Sequence, residues 1–348
     1  MTVGRHPSRV YLDSLAGQPL APEALSAWKI AVDQAYAAPH GHHFDAATSR
    51  QFVEASLSTL SRLWQVPSSA ITPVFGLSTT MRMVLSGLDP QASVALNPLS
   101  RRGIIGLVND SGRNVTTLEV DAFGLVDHNS DADVILSQSG NHEVGTISPL
   151  RHNNTSLIVA DATEWVGRMP QLPDADVTIA RANCWGGLHE VCFIIDPNAR
   201  LNLNERMRVT NSPDVASLVA SVSALESMNL DLELVHREIV DAIRNALPEM
   251  CEAIGDPINR LPHILTILNK NVDGEALATE LDRRGYSVGA ASACAVESST
   301  ASHVLKALGH DSNNNIRLSL PLTISSIDDF DVARFTQALQ ESIESLQK

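Results

Sequence analysis

Lysine is nearly absent from this chain. Of 25 basic residues in 348, only Lys29, Lys270, Lys306 and Lys348 are lysine, and arginine supplies the other 21. Positions 30 to 269 therefore offer no side-chain primary amine, which excludes lysine-based covalent chemistry from that stretch. Long apolar runs are missing too, and with them any helix able to span a bilayer. The opening Met1–Pro7 has no apolar stretch of the signal-peptide kind, so a cytoplasmic location is expected. The four cysteines (Cys184, Cys192, Cys251 and Cys294) include no CxxC pair and read as reduced thiols, not a disulfide framework. A basic excess is absent: the net charge of −15 weighs against a nucleic-acid partner and suits a soluble protein. Repeats, low-complexity tracts and long linkers are absent as well.

What is present is enough apolar residue, 44%, to bury a sizeable core, over a length that allows one large domain and a smaller one. Apolar spacing predicts helices over residues 22–36 and 46–64, with Pro22 near the start of the first. Val74–Thr80 leads into a helical run from Met81 to Leu88, and hydroxyls at such a start either cap the helix or bind a phosphate. Strands are expected at 93–97, 133–137, 156–160, 191–195 and 261–268. Long helices are expected over 214–249, one over 272–284, and a last one over 326–346. The histidines of the loop 39–43 lack a carboxylate or thiol pattern to complete a metal site, and no metal is expected there.

Several motifs carry chemistry. Gly140-Asn141-His142-Glu143-Val144-Gly145 follows a predicted strand. Asp161 closes another, with Glu164 three residues on, which is also the spacing of a capping box for a following helix. The stretch 175–187 ends an apolar run in a small, glycine-rich turn, Ala182-Asn183-Cys184-Trp185-Gly186-Gly187. Ser292-Ala293-Cys294 sits in a small-residue loop ahead of a helix, a place that favours either an exposed reactive thiol or an inert buried one. Ile316-Arg317-Leu318-Ser319 offers an arginine for a carboxylate, either a substrate's or a structural partner's.

Taken in order, these motifs resemble the class V aminotransferase and cysteine desulfurase family over about residues 10 to 345. The resemblance implies an α/β protein of the pyridoxal-phosphate-dependent fold type I. Its large domain, residues 14–248, would surround a mostly parallel sheet, and residues 1–13 and 249–348 would form a smaller α/β domain. It further implies a homodimer and a partner in sulfur metabolism. Ser78 and Thr79 fall at the phosphate-binding turn, and Asn141, Asp161, Glu164 and Asn183 at cofactor-binding positions. Ser14 and Arg317 fall on the substrate side, and Cys294 at the persulfide-carrying cysteine. Cys184 falls where the family has the lysine that carries pyridoxal phosphate as a Schiff base. Asn183 replaces a histidine, Glu164 a glutamine and Leu77 a glycine, and the ring-stacking histidine is missing near Arg101, whose guanidinium plane is a candidate substitute.

A carboxylate at 161 would pair with the cofactor's pyridinium nitrogen, whereas a charge at 164 would disfavour its phenolate. Three expectations follow. The first is a desulfurase-like protein without Schiff-base chemistry, serving as a binding or regulatory protein. The second is an enzyme holding pyridoxal phosphate noncovalently. The third is a thiol protein whose Cys184 or Cys294 carries sulfur or a metal.

Overall fold

The computed structural model describes residues 9–150, 155–229, 231–290, 302–310 and 313–348. The chain opens with β1 (Val10–Leu12), α1 (Pro22–Gln34) and α2 (Phe44–Trp64). Pro22 stands in the first turn of α1, where its missing N–H costs nothing. His43 caps α2 through Nδ1, which accepts from Ala46 N, so one of the loop histidines has a structural task.

The large sheet is built next, from β2 (Ile71–Phe75), α3 (Leu77–Gly87), β3 (Val94–Leu96), α4 (Arg102–Asn109) and β4 (Val115–Thr117). A small hairpin follows, β5 (Glu119–Val120) with β6 (Val126–Asp127). Then come β7 (Val134–Gln138), β8 (Leu157–Asp161), β9 (Val177–Arg181) and β10 (Val191–Ile195). The strand order is β2-β10-β9-β8-β7-β3-β4, and only β10 runs antiparallel to its neighbours. Both faces of this sheet are covered, which explains why β7 and β10 read as unbroken apolar-rich runs without alternation.

The remainder comprises α5 (Glu205–Thr210), α6 (Val215–Glu226), α7 (Leu232–Asn245), β11 (Cys251–Ile254), β12 (Ile264–Asn269) and α8 (Gly274–Arg283). It ends with β13 (Tyr286–Ala290), α9 (His303–Ala307), β14 (Asn315–Ser319) and α10 (Val332–Leu346). The second sheet has the order β1-β13-β14-β12-β11, so the N-terminal strand joins the C-terminal half. Ile239, Val240 and Ile243 of α7 are buried in the core of this second sheet with Leu12, Leu265, Ile316 and Phe335.

Three local expectations are corrected. The helix expected from Met81 begins at Leu77, which puts Ser78 and Thr79 inside its first turn. The last helix does not start at 326: Ser326 and Asp329 close a short 3-10 turn by reciprocal capping, and Asp331 then caps α10 afresh. No helix follows Asp161. Its Oδ1 instead accepts from the backbone N–H and the hydroxyl of Thr163, which turns the chain at once.

Candidate functional site

The carboxyl ends of the parallel strands converge with the start of β12. The turn after β9 is held hard in place. Trp185 is fully buried, stacks on Phe193, meets Trp64 edge-on and donates Nε1–H to the carbonyl of Ser221. Gly186 takes φ +78°, and a Cβ on Gly187 would stand 2.8 Å from Ala182 Cβ and 3.0 Å from the Ser221 backbone, so both glycines are required. The turn therefore sets Asn183 and Cys184 in fixed positions. Asn183 Oδ1 accepts from Gln18 N, and the Cys184 carbonyl accepts from Arg168 Nε at 2.9 Å.

Cys184 is 4% exposed and lies among apolar neighbours on one side. Burial pushes its thiol up to about 12, against the pull of Arg168. On the other side, Glu164 and His263 bring a carboxylate oxygen and a ring nitrogen to the sulfur, and the three atoms lie within 4.8 Å of one another. Positions 164, 184 and 263 come from three separate segments that no local spacing links, and His263 carries no sequence signal of its own. Burial and the nearby Arg168 hold the His263 ring neutral.

Glu164 is also paired with Arg101. The guanidinium named as a candidate substitute for a stacking ring is thus bound to a carboxylate. The unusual glutamate and the unusual arginine answer each other. Burial raises the Glu164 carboxyl above the usual range, and Arg101 pulls it back.

Asp161 is buried at the end of β8. Its Oδ2 accepts from Gln138 Nε2 at 3.3 Å, while Oδ1 serves Thr163. Asn141 is spent on the turn, with Oδ1 accepting from Glu143 N and Val144 N and Nδ2 donating to the Leu99 carbonyl. Glu143 accepts from Ser302 Oγ at 2.5 Å. Ser14 donates to the carbonyl of Leu320, and Arg317 pairs with Asp13 at 3.1 Å. Cys294 lies outside the described residues.

At the opposite end of the site, Gly76 precedes α3 with no side-chain cap. Ser78 is exposed and Thr79 half-buried. A Cβ on Gly76 would meet Glu190 Oε2 at 3.4 Å, so this chain's own carboxylate stands by the helix start, where N–H groups attract an anion.

This arrangement is that of a fold type I α/β protein, with its polar cluster at the strand ends where ligands bind in open sheets. Known proteins agree. The chain is 24% identical to a cysteine desulfurase of Cereibacter sphaeroides over 336 residues, 86% of this chain and 87% of that one. It is 24% identical to the cysteine desulfurase IscS of Dictyoglomus turgidum over 360 residues, 92% of this chain and 91% of that one. The apo structure of a cysteine desulfurase from Thermococcus onnurineus superposes with a TM-score of 0.84 at 15% identity, covering 99% of this chain and 100% of that one. No family model matches the chain. The protein is thus cysteine-desulfurase-like along nearly its whole length, as its class V aminotransferase motifs implied.

The residues present do not fit the pyridoxal phosphate of such a fold in the usual way. At the position where the resemblance places the cofactor's lysine stands the buried thiol of Cys184. Arg101 and Glu164 satisfy each other, and Glu190 stands at the helix start where a phosphate would go.

Proposed function

We propose that this protein is a cysteine desulfurase homologue that forms no Schiff base and works by binding, as a regulatory or carrier member of a sulfur-handling system. One observation carries the reading. All four lysines are exposed on the surface, and the site position that would need one holds Cys184. Desulfuration requires an amine both to hold the cofactor and to move the substrate's α-proton, and a thiol does neither. Three side-chain pairs in the pocket support loss of the cofactor: Arg101 with Glu164, Arg317 with Asp13, and Gln138 with Asp161.

The test is spectroscopic. Purified protein is mixed with pyridoxal phosphate, with and without L-cysteine, then reduced with borohydride and peptide-mapped. No stoichiometric adduct at a single lysine and no sulfide release above that of free cofactor are expected. A stoichiometric reduction-fixed adduct at one of Lys29, Lys270, Lys306 or Lys348, formed together with sulfide release, would overturn the reading. A colour change only with cofactor and cysteine together, without an adduct, would favour noncovalent cofactor binding instead.

The same reading takes the protein as a homodimer. Leu25, Trp28 and Val32 of α1, with Tyr36 just beyond it, form an exposed apolar stripe at helical spacing. The stripe borders a cavity of about 660 Å³ lined also by Arg208 and Ser212.

A further inference from the structure

We propose that Glu164, Cys184 and His263 form a binding site for a divalent cation of the zinc class. The inference rests on the reading above in one respect, that a cysteine has taken over the lysine position.

Two independent observations carry it. The first is the donor set. A thiol sulfur, an imidazole nitrogen and a carboxylate oxygen, all from buried residues, lie within 4.8 Å of one another. Around a tetrahedral zinc ion, with bonds of about 2.0–2.3 Å, such atoms stand roughly 3.5 Å apart, so modest side-chain rotations close the site. The second is His263 itself. It is 1% exposed, and neither ring nitrogen has a hydrogen-bond partner among the described residues. A buried imidazole left unpaired costs about 1–3 kcal/mol per orphaned group, and a bound cation gives one nitrogen its partner.

The surroundings suit the ion. Coordination displaces the Cys184 thiol proton to solvent, and the resulting thiolate offsets one of the ion's two charges, while the Glu164 carboxylate is shared between the ion and Arg101. Arg101 on Glu164 and Arg168 on the Cys184 carbonyl hold two of the ligands from outside, the kind of support that metal ligands need. Sulfur in the set selects against magnesium and calcium, which take oxygen ligands. Three protein ligands leave a fourth position for water or for an incoming thiolate.

The full chain, stripped with chelator, is titrated with Co²⁺ and then Zn²⁺. A near-ultraviolet thiolate-to-cobalt band that zinc abolishes is expected in the wild type and in Cys192→Ser. Cys184→Ser should lose the band, and His263→Gln should weaken affinity by more than the about 10–100-fold typical of an outer-shell partner. Circular dichroism and thermal unfolding of each variant separate loss of the site from loss of the fold. No band in the folded wild type, or a band that survives in Cys184→Ser, overturns the proposal. Borohydride mapping reads independently. A stoichiometric adduct at one lysine, with sulfide release, would sink the cofactor-free reading, whereas a missing cobalt band without such an adduct would sink only this one.

Discussion

Glu164 and Arg101 are each odd against the resembling family and ordinary together. A buried carboxylate with no cation is expensive, and removing one partner of such a pair costs more than the pair ever contributes. Arg101→Ala should lower unfolding stability by about 3 kcal/mol at neutral pH, because Glu164 is left charged in a buried place. The pH dependence has a definite sign. Burial raises the folded-state value of Glu164, so the folded chain keeps this proton to higher pH than the unfolded one. Its contribution to stability therefore falls as pH rises from the ordinary carboxyl range through the folded value. In Arg101→Ala the fall extends further, so the defect should shrink in acid and grow toward pH 7. Adding Glu164→Gln should restore most of the loss. Urea unfolding across pH checks this, and a defect independent of pH would refute the pairing argument.

At the scale of elements, α7 is joined to the turn after β8 and to the segment before α10 through a buried histidine. His236 accepts from Arg168 at Nδ1 and donates Nε2–H to the carbonyl of Ile324 at 2.8 Å. Burial, aided by Arg168, lowers its value to about 3. The unfolded chain, with an ordinary value of about 6.5, therefore takes up a proton that the folded chain refuses. Stability contributed by this group is present above about pH 6.5 and is lost as pH falls toward 3, at up to about 1.4 kcal/mol per unit. His236→Gln should flatten that acid limb of the urea midpoint while lowering stability at pH 7. A second element-level constraint lies at the start of α8. A Cβ on Gly274 would collide with the Asn315 carbonyl and stand 2.6 Å from that of Asn313, both backbone atoms. Gly274→Ala should therefore cost about 3 kcal/mol, read as a lowered melting temperature, because the helix must back away from β14.

Over the whole molecule, the exposed stripe of α1 is the feature that a solitary chain explains least. Single exposed apolar residues are common, whereas here Leu25, Trp28 and Val32 share one face of α1, and Val32 and Tyr36 line a neighbouring cavity. Sedimentation velocity should show a dimer for the wild type. Val32→Glu, which sets a charge in that face, should shift it toward monomer without lowering the melting temperature of the isolated chain. A wild-type monomer at micromolar concentration would sink the dimer reading.

The sequence alone determined the order of elements, because both sheets are buried enough to leave apolar runs at β7, β9, β10 and β12 between turn residues. It also determined that positions 30 to 269 hold no lysine, which is a matter of composition. Local choices among capping residues were decided by the chain's path. Asp161 and Glu164 have helix-start spacing, yet Thr163 satisfies the aspartate in a turn and Arg101 draws the glutamate into the site. Only tertiary structure brought positions 164, 184 and 263 together and left the His263 ring without a partner. Those contacts join strand ends of one sheet to the start of a strand in another. Nothing in the local spacing of residues encodes a meeting across that distance along the chain; it is set by how the two sheets pack.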